Sequence, residues 1–86
     1  MFIKTTKSFD KQFKKLTDED KKRFRRRLVV FQASPYDKQL NNHGLKGRYL
    51  GYRSIDVRGD LRALYKVEGN MLIIFAFIGS HSQLYG

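Results

Sequence analysis

The fold is decided by residues 52–79, YRSIDVRGDLRALYKVEGNMLIIFAFIG. Three apolar or alternating runs lie within this stretch: Tyr52–Val57, Leu61–Val67 and Met71–Ile78. Arg58-Gly59 and Glu68-Gly69-Asn70 separate the runs and are typical of tight turns between strands. The stretch therefore predicts an antiparallel meander of three strands. Because Met71–Ile78 is nearly all apolar, we expect it to be a central strand, buried on both faces or nearly so.

Two helices are predicted before this stretch. In the first, Ser8 has the side chain of an N-cap, and Phe9, Phe13 and Leu16 follow at positions i, i+4 and i+7. That spacing places the three apolar side chains on one face, so it predicts a helix over residues 9–16.

The second helix is expected to open at Thr17. The acidic Asp20 follows three positions later, as in a capping box, and acidic residues suit the positive end of a helix dipole. An apolar stripe then follows at helical spacing: Phe24, Leu28 and Phe31. Pro35 cannot continue a helix, so we expect this one to end near Ala33.

The order of elements predicts the fold class. Phe2–Thr6 has the composition of a first strand, and Leu45–Tyr49 that of another short strand before the meander. Without the additional short strand at Leu45–Tyr49, the order is β-α-α-β-β-β. It separates helices from strands, which predicts an α+β fold whose helices form a hairpin joined at Thr17. The sequence contains no linker, repeat or low-complexity tract, so residues 1–86 are expected to form one domain.

The composition limits the classes of protein. Of the 86 residues, 41% are hydrophobic, which is enough for one modest core and argues against a wholly disordered chain. The chain contains no Cys, which excludes disulfides and thiolate metal sites and suits a reducing cytoplasm. No apolar run reaches about 18 residues. We therefore expect no transmembrane helix. Met1–Lys4 lacks the apolar region of a signal peptide, so no signal peptide is expected either.

The charge points to an anionic partner. Eighteen Lys and Arg against eight Asp and Glu give a formal net charge of +10. Such a charge disfavours a compact state unless a polyanion or an acidic protein relieves it; the alternative is a generically basic soluble domain. Six basic side chains fall in the second helix: Lys21, Lys22, Arg23, Arg25, Arg26 and Arg27. They are predicted to form a solvated face, which is a candidate surface for nucleic-acid phosphates or an acidic partner.

Polar side chains with catalytic chemistry lie in the second half of the chain: His43, Asp56, Asp60 and His81, with Arg48, Arg53, Arg58 and Arg62 nearby. This set suits cleavage of an RNA phosphodiester. A base removes the 2′-hydroxyl proton, an acid protonates the leaving 5′ oxygen, and Arg stabilises the charged phosphorane. Imidazole serves both proton transfers near neutral pH. The residues alone leave simpler alternatives open, in which Asp60 caps a turn and His43 belongs to a loop.

Metals and cofactors are not expected. The two His residues lie 38 positions apart, and the chain has neither an HExxH motif nor a Gly-rich phosphate loop followed by Lys-Ser or Lys-Thr.

Several segments carry a resemblance to a known family: residues 42–47, NHGLKG; residues 51–57, GYRSIDV; and residues 59–65, GDLRALY. Together they resemble the RelE toxin family. Residues 78–86, IGSHSQLYG, are similar to its YafQ-like branch, whose chains finish in a G-[ST]-H-x-x-L-[FY] pattern. Residues 7–16 resemble the family's first helix, so the resemblance covers nearly the whole chain.

The resemblance implies a toxin of a type II toxin–antitoxin pair. Such toxins are metal-independent endoribonucleases that cut mRNA in the ribosomal A site. A cognate antitoxin holds them inactive, and the complex binds operator DNA and represses its own operon. The implied fold is a small microbial-RNase-like α+β domain, in which a twisted antiparallel sheet packs on two N-terminal helices.

The resemblance also implies roles for single residues. His43 corresponds to a family His in the active site, Asp60 to a catalytic acid, His81 to the principal catalytic His, and Tyr85 to an aromatic that is a candidate platform for base stacking. One position departs from the pattern, because Asp56 stands where the branch often has His. A carboxylate there is expected to orient a His or to act as a base.

The phosphate-binding residues are expected among the arginines Arg48, Arg53 and Arg62. Arg62 is the better candidate for contacting the phosphate because it follows Asp60 closely, whereas Arg53 has the alternative of a buried ion pair.

Two alternatives from other functional classes remain at this point. One is a ParE-like toxin that inhibits gyrase and cleaves nothing, although such relatives generally lack the His and Asp set present here. The other is a basic module that binds RNA or the ribosome without catalysis.

Overall fold

A computed structural model describes residues 1–86 and places five strands in one sheet and three helices around it. In chain order the elements are β1 (Phe2–Thr5), α1 (Lys7–Lys14), α2 (Asp18–Ala33), β2 (His43–Gly44), β3 (Arg53–Arg58), β4 (Leu61–Glu68), β5 (Leu72–Ser80) and α3 (His81–Tyr85). The order of strands across the sheet is β1-β5-β4-β3-β2. The expected α+β fold and the meander β3-β4-β5 are therefore confirmed.

The sheet is mixed, because its first strand runs parallel to its neighbour. β1 pairs with β5 in parallel, from Phe2 opposite Leu72 to Thr5 opposite Phe75, whereas the other strand pairs are antiparallel. The expectation of a purely antiparallel sheet was wrong in this respect. The Thr6 hydroxyl donates to the carbonyl of Ala76 at 2.7 Å. Because β1 runs parallel to β5, α1 begins beside β5 and packs over that strand.

Aromatic side chains join the helical hairpin to one face of the sheet. Phe75 on β5 contacts Phe9 of α1 and Phe24 and Phe31 of α2, with ring centroids 5.5–6.0 Å apart. Phe31 also packs edge-on against Tyr65 of β4 at 4.9 Å. These rings are buried, and tilted or edge-to-face geometry is favoured between aromatic quadrupoles. The apolar stripe predicted for the second helix thus faces the core.

The two helices begin at residues whose side chains cap them. α1 begins two residues earlier than expected, because the Thr6 hydroxyl, rather than that of Ser8, accepts from the Phe9 N–H. Thr17 caps α2 as expected and accepts from the Asp20 N–H at 3.1 Å. The second half of the expected capping box is absent, since the Asp20 carboxylate binds Arg58 instead.

Two segments of the second half differ from expectation. The strand expected over Leu45–Tyr49 is a 3₁₀ turn over Gly47–Tyr49, and β2 lies earlier in the chain. Gly47 has φ +65°, which is incompatible with extended backbone. Residues 81–85, for which no helix was predicted, form α3, because Ser80 and Gln83 make a reciprocal capping box at its start.

The other face of the sheet is free of α1 and α2, and it carries the polar residues. Side chains alternate between faces along a strand, so Ile55, Ala63 and Tyr65 point to the helical layer while the residues between them point away. At one end of this second face, Tyr49 of the 3₁₀ turn packs against Phe77 of β5 and donates to the carbonyl of Leu84 in α3. At the other end it is open.

Candidate active site

The strand register brings two of the four predicted catalytic positions to the open face, and a third follows the end of β5. His43 of β2 lies opposite Ser54 of β3, which places its side chain on the face away from α1 and α2. Asp56 of β3 lies opposite Arg62 of β4, one alternation further along the same face. His81 follows β5 directly and begins α3.

The two His residues flank this face and do not contact each other. Strands in a sheet are about 4.8 Å apart, so the backbones of β2 and β5 are separated by roughly 14 Å, with β3 and β4 between them. The centre of the face is occupied by the ion pair of Asp56 and Arg62, whose Oδ1 and Nη1 are 3.0 Å apart. Both side chains are about one quarter exposed, so the pair is reachable from solvent.

His81 is held by contacts to the first turn of α3. The Asp60 carboxylate, on the β3–β4 turn, accepts from the His81 backbone N–H at 3.2 Å. The Ser80 hydroxyl accepts from the Gln83 N–H, and the Gln83 side chain accepts from the Ser80 N–H. These contacts satisfy the free N–H groups of the helix start and leave the His81 ring exposed. Asp60 and His81, two of the four predicted catalytic residues, are thus brought together through the His81 backbone.

The hydrogen-bond partner of the His43 ring determines which of its two nitrogens carries the hydrogen. Its Nδ1 lies 2.8 Å from the carbonyl oxygen of Asn41. A carbonyl oxygen only accepts, so Nδ1 carries the hydrogen and the neutral ring has its lone pair on Nε2. His43 is therefore preset to accept a proton at Nε2.

Asp56 is bound on both carboxylate oxygens. Oδ1 accepts from Arg62, and Oδ2 lies 3.4 Å from the side-chain amide of Asn41. Asn41 also orients the His43 ring through its carbonyl oxygen, so this residue links the Asp56 carboxylate to His43. The Arg62 Nε is buried and has no hydrogen-bond partner. The guanidinium is therefore only partly engaged within the protein.

Aromatic rings pack around α3. Tyr85 lies against the ring of His81, with centroids 4.8 Å apart, and edge-on to Tyr49 at 5.1 Å. The Tyr49 hydroxyl and the Arg48 guanidinium both donate to the carbonyl oxygen of Leu84, at 2.6 and 2.8 Å. The 3₁₀ turn therefore fixes the end of the helix whose start carries His81. Arg48, a candidate for binding substrate, makes this contact within the protein.

Arg53, another candidate for binding substrate, lies on the helix-covered side at the β2 edge. Its Nε donates to the side-chain oxygen of Asn42 at 2.8 Å, and the Asn42 amide donates to Pro35 and to the Tyr65 hydroxyl. Its guanidinium also lies over the ring of Tyr36. Burial raises the pKa of the Tyr65 hydroxyl. Arg53 thus belongs to a network that joins β2 to the core and is separate from His81.

The basic residues of α2 are spread around the side of the helix that faces away from the core. Consecutive helical residues are rotated by about 100°, so Arg23 and Arg27 lie on the flank beside β3, and Arg25 lies on the opposite flank. Arg27 donates to the Val57 carbonyl, and Arg25 lies over the Phe13 ring at 5.6 Å. None of the six basic residues is buried, as expected for a solvated side of the helix, and their role as a surface for nucleic acid or an antitoxin stays a prediction.

The ion pair of Asp20 and Arg58 was missed in the sequence. Two hydrogen bonds of 2.7 and 2.8 Å join the carboxylate to the guanidinium. These bonds hold the pKa of Asp20 below its ordinary value of 3.8, against an opposing effect of burial. The pair ties the start of α2 to the end of β3. No signal in the sequence marks it, because the two residues are 38 positions apart.

No group of three or more His, Asp or Glu side chains is arranged to hold a metal ion. None of the three helices has both the length and the apolar composition needed to cross a bilayer.

A five-stranded sheet with a helical hairpin on one face and a polar, His-bearing opposite face places the protein in the class of RelE-like toxins. The family model described as "Bacterial toxin of type II toxin-antitoxin system, YafQ" matches residues 1–86. The chain belongs to this family, and its resemblance to the YafQ-like branch is confirmed. No curated protein sequence matches the chain closely enough to count as a relative.

Solved structures agree with this assignment. A mutant of YafQ from E. coli is 25% identical with a TM-score of 0.77, and the match covers 98% of this chain and 97% of that chain. A copper-bound mutant toxin from Helicobacter pylori is 27% identical with a TM-score of 0.74, over 99% of both chains. The E. coli DinJ-YafQ complex gives 26% identity and a TM-score of 0.73, over 98% of this chain and 97% of that chain.

Proposed function

We propose that this toxin is a metal-independent endoribonuclease that cuts mRNA on the ribosome. The strongest support is the position of His81 in the chain: it is exposed and directly follows β5, on which Gly79 pairs with Arg62. Arg62 in turn binds Asp56 on the sheet face that the helical hairpin does not cover. In this proposal the 2′-hydroxyl of the RNA attacks the neighbouring phosphorus, and the bond from phosphorus to the 5′ oxygen breaks. The products are a 2′,3′-cyclic phosphate and a free 5′-hydroxyl.

Each side chain has one role in this reaction. His43 takes the 2′-hydroxyl proton at Nε2, the atom that its bond to Asn41 leaves unprotonated. His81, in its cationic form, donates a proton to the leaving 5′ oxygen. Arg62 stabilises the charge that develops on the phosphorane, since its guanidinium is only partly engaged by Asp56.

The carboxylates Asp56 and Asp60 support these groups. Asp56 holds Arg62 and, through Asn41, the loop that orients His43. It therefore acts as a positioning residue at a place where related toxins often have His. Asp60 fixes the backbone of His81. Tyr85, packed on the imidazole, offers its exposed part to a base of the substrate.

The partners follow from charge and family. The net charge of +10 favours association with the ribosome and mRNA, whose phosphates release counterions on contact. A cognate antitoxin is proposed as the inhibitor, because a related YafQ toxin has been solved in complex with DinJ. Contact with operator DNA is proposed to occur only through that complex.

Primer extension on translated mRNA tests this function. The wild-type toxin should create new 5′ ends at codon-defined positions, and His81→Ala should lose them while the protein stays folded and binds its antitoxin. Loss of one general acid costs about 10²–10⁴ in rate. Undiminished cleavage by the folded His81→Ala variant would contradict the assignment. Inhibition of DNA supercoiling without RNA cleavage would support a gyrase-directed toxin instead, and binding to the ribosome with neither activity would support a non-catalytic module.

A further inference from the structure

A cleft lined by three arginines lies between α2 and the end of β3. It encloses about 250 Å³, and its walls are formed by six residues: Arg23, Arg26, Arg27, Val30, Gln39 and Val57. We propose that this cleft binds a carboxylate side chain of an acidic peptide segment. The proposed antitoxin is one source of such a segment, and only that identification rests on the proposed function.

The guanidinium of Arg27 is fixed in the cleft before any ligand binds. Its Nε donates to the Val57 carbonyl at 3.2 Å, and its Nη1 donates to the Gln39 side chain at 2.8 Å. These contacts orient the plane of the guanidinium and leave the N–H groups of Nη2 free. A preset guanidinium loses little conformational entropy on binding, so it suits recognition of a planar carboxylate.

The neighbouring arginines are not satisfied within the protein. The Arg23 Nε is buried and has no hydrogen-bond partner. The nearest carboxylate belongs to Glu19, whose Oε1 is 3.9 Å from Arg23 and 3.8 Å from Arg26, beyond hydrogen-bonding distance. The Arg23 side chain is 43% exposed and that of Arg26 is 65% exposed, so both guanidinium groups can be reached from the mouth of the cleft. An external carboxylate would supply the missing acceptor.

The size and lining of the cleft favour a peptide over a nucleic acid. Pockets for drug-sized ligands enclose about 300–1,000 Å³, so a cleft of about 250 Å³ suits a single side chain better than a nucleotide. Val57 is buried and Val30 is half-buried, and both present apolar surface to the stem of an entering Glu or to an apolar neighbour. Contacts to a nucleic-acid backbone go mainly to charged phosphate oxygens, which make no use of the apolar surface of Val30.

A titration followed by NMR tests this proposal. The ligand is the short blocked peptide Ala-Glu-Leu-Glu-Ala, and the peptide Ala-Gln-Leu-Gln-Ala is the neutral control. We expect saturable shifts of the Nε–H signals of Arg23 and Arg27 with the acidic peptide only. The double substitution Arg23→Gln and Arg26→Gln should weaken binding about tenfold or more, as expected for lost charge-assisted hydrogen bonds. Circular dichroism confirms that each variant is folded.

The matched control removes two charges from α2 outside the cleft. Lys22 is exposed and Arg25 lies on the opposite flank, so Lys22→Gln with Arg25→Gln should change binding less than twofold. Equal weakening in both double variants, or equal shifts with the neutral peptide, would overturn the proposal. So would stronger shifts of the same signals by a short 2′-O-methyl RNA, which would make the cleft a phosphate site. None of these outcomes depends on ribonuclease activity.

Discussion

Replacing Asp20 by Asn tests how the helical layer is held to the sheet. Asp20 lies in the first turn of α2, and its carboxylate makes two short hydrogen bonds to Arg58 at the end of β3. The amide of Asn has a similar volume but no charge. It retains one acceptor and loses the bidentate geometry. We therefore expect a folded protein whose α2 is less tightly joined to the β3–β4 turn.

The expected loss of stability depends on how far the Asp20 and Arg58 side chains are buried. The Asp20 side chain is 10% exposed, while that of Arg58 is 46% exposed, so the free guanidinium can be hydrated after the substitution. Hydrogen bonds to charged groups contribute about 1.5–3 kcal/mol, and an acidic residue at a helix start adds about 0.3–1 kcal/mol. With the exposure of Arg58 taken into account, we expect a loss of about 2 kcal/mol. That loss corresponds to a decrease in Tm of roughly 8–16 °C for a domain of this size.

The effect depends on pH in a defined direction. The pKa of Asp20 is lowered in the folded protein by its bonds to Arg58. The contribution of Asp20 to the free energy of unfolding is therefore fully present above the pKa that Asp has in the unfolded chain, about 3.9. This contribution is lost as the pH falls through the lower pKa that Asp20 has in the folded protein. The difference in unfolding free energy between wild type and Asp20→Asn should be constant from about pH 5 to 7 and should shrink below about pH 4.

Thermal and urea unfolding followed by circular dichroism measure this difference. Asp18→Asn is the control, because Asp18 is exposed in the same helical turn and makes no ion pair in the structure. It removes the same charge and should lower Tm by only a few degrees, as expected for a dipole effect below about 1 kcal/mol. Equal Tm values for the two variants, or a difference that grows as the pH falls below 4, would refute the reasoning.

Three further predictions concern activity. Cleavage should persist in excess EDTA when intact ribosomes are maintained, and a 2′-deoxy nucleotide at the cut site should block it; rapid cutting of that substrate would indicate hydrolysis by water or metal. Tyr49→Phe deletes the hydroxyl that donates to Leu84 and should lower single-turnover cleavage about three- to tenfold with little change in Tm, whereas an unchanged rate would show that α3 needs no such support. Arg53→Lys should lower Tm while leaving the rate per folded molecule unchanged, because Arg53 contacts Asn42 away from His81; a decrease in rate without a change in Tm would place it in the substrate site.

Features set by neighbouring residues were predictable from the sequence. Thr17 caps α2 and the helix ends at Ala33 as expected, because an N-cap and a following proline act within one turn. The β3-β4-β5 meander was likewise predictable from its short turns. The parallel pairing of β1 was not, since hydrophobic pattern does not specify strand direction.

The candidate site was only partly predictable from the sequence, because part of it depends on contacts between residues that are far apart in the chain. The alternation along β3 already places Asp56 on the face opposite Ile55, whereas the face of His43 is set by its pairing with Ser54. The positions of the arginines depend on distant acceptors. Arg48 donates to the carbonyl of Leu84, 36 residues away, and Arg58 to Asp20, 38 residues away. Sequence spacing gives no measure of such contacts, so an arginine bound within the protein looks the same in the sequence as one that is free to bind phosphate.

The shortness of α3 has a consequence for how the toxin loses activity. A helix of five residues has no independent stability in water, so α3 depends on Asp60 at its start and on Tyr49 and Arg48 at its end. Elements held by few contacts open locally before the whole domain unfolds. On heating, His81 should therefore leave its working position while the sheet and its aromatic core are still intact. The temperature at which cleavage stops should therefore lie below the Tm. Between these two temperatures the sheet and core would remain folded although the protein is no longer active.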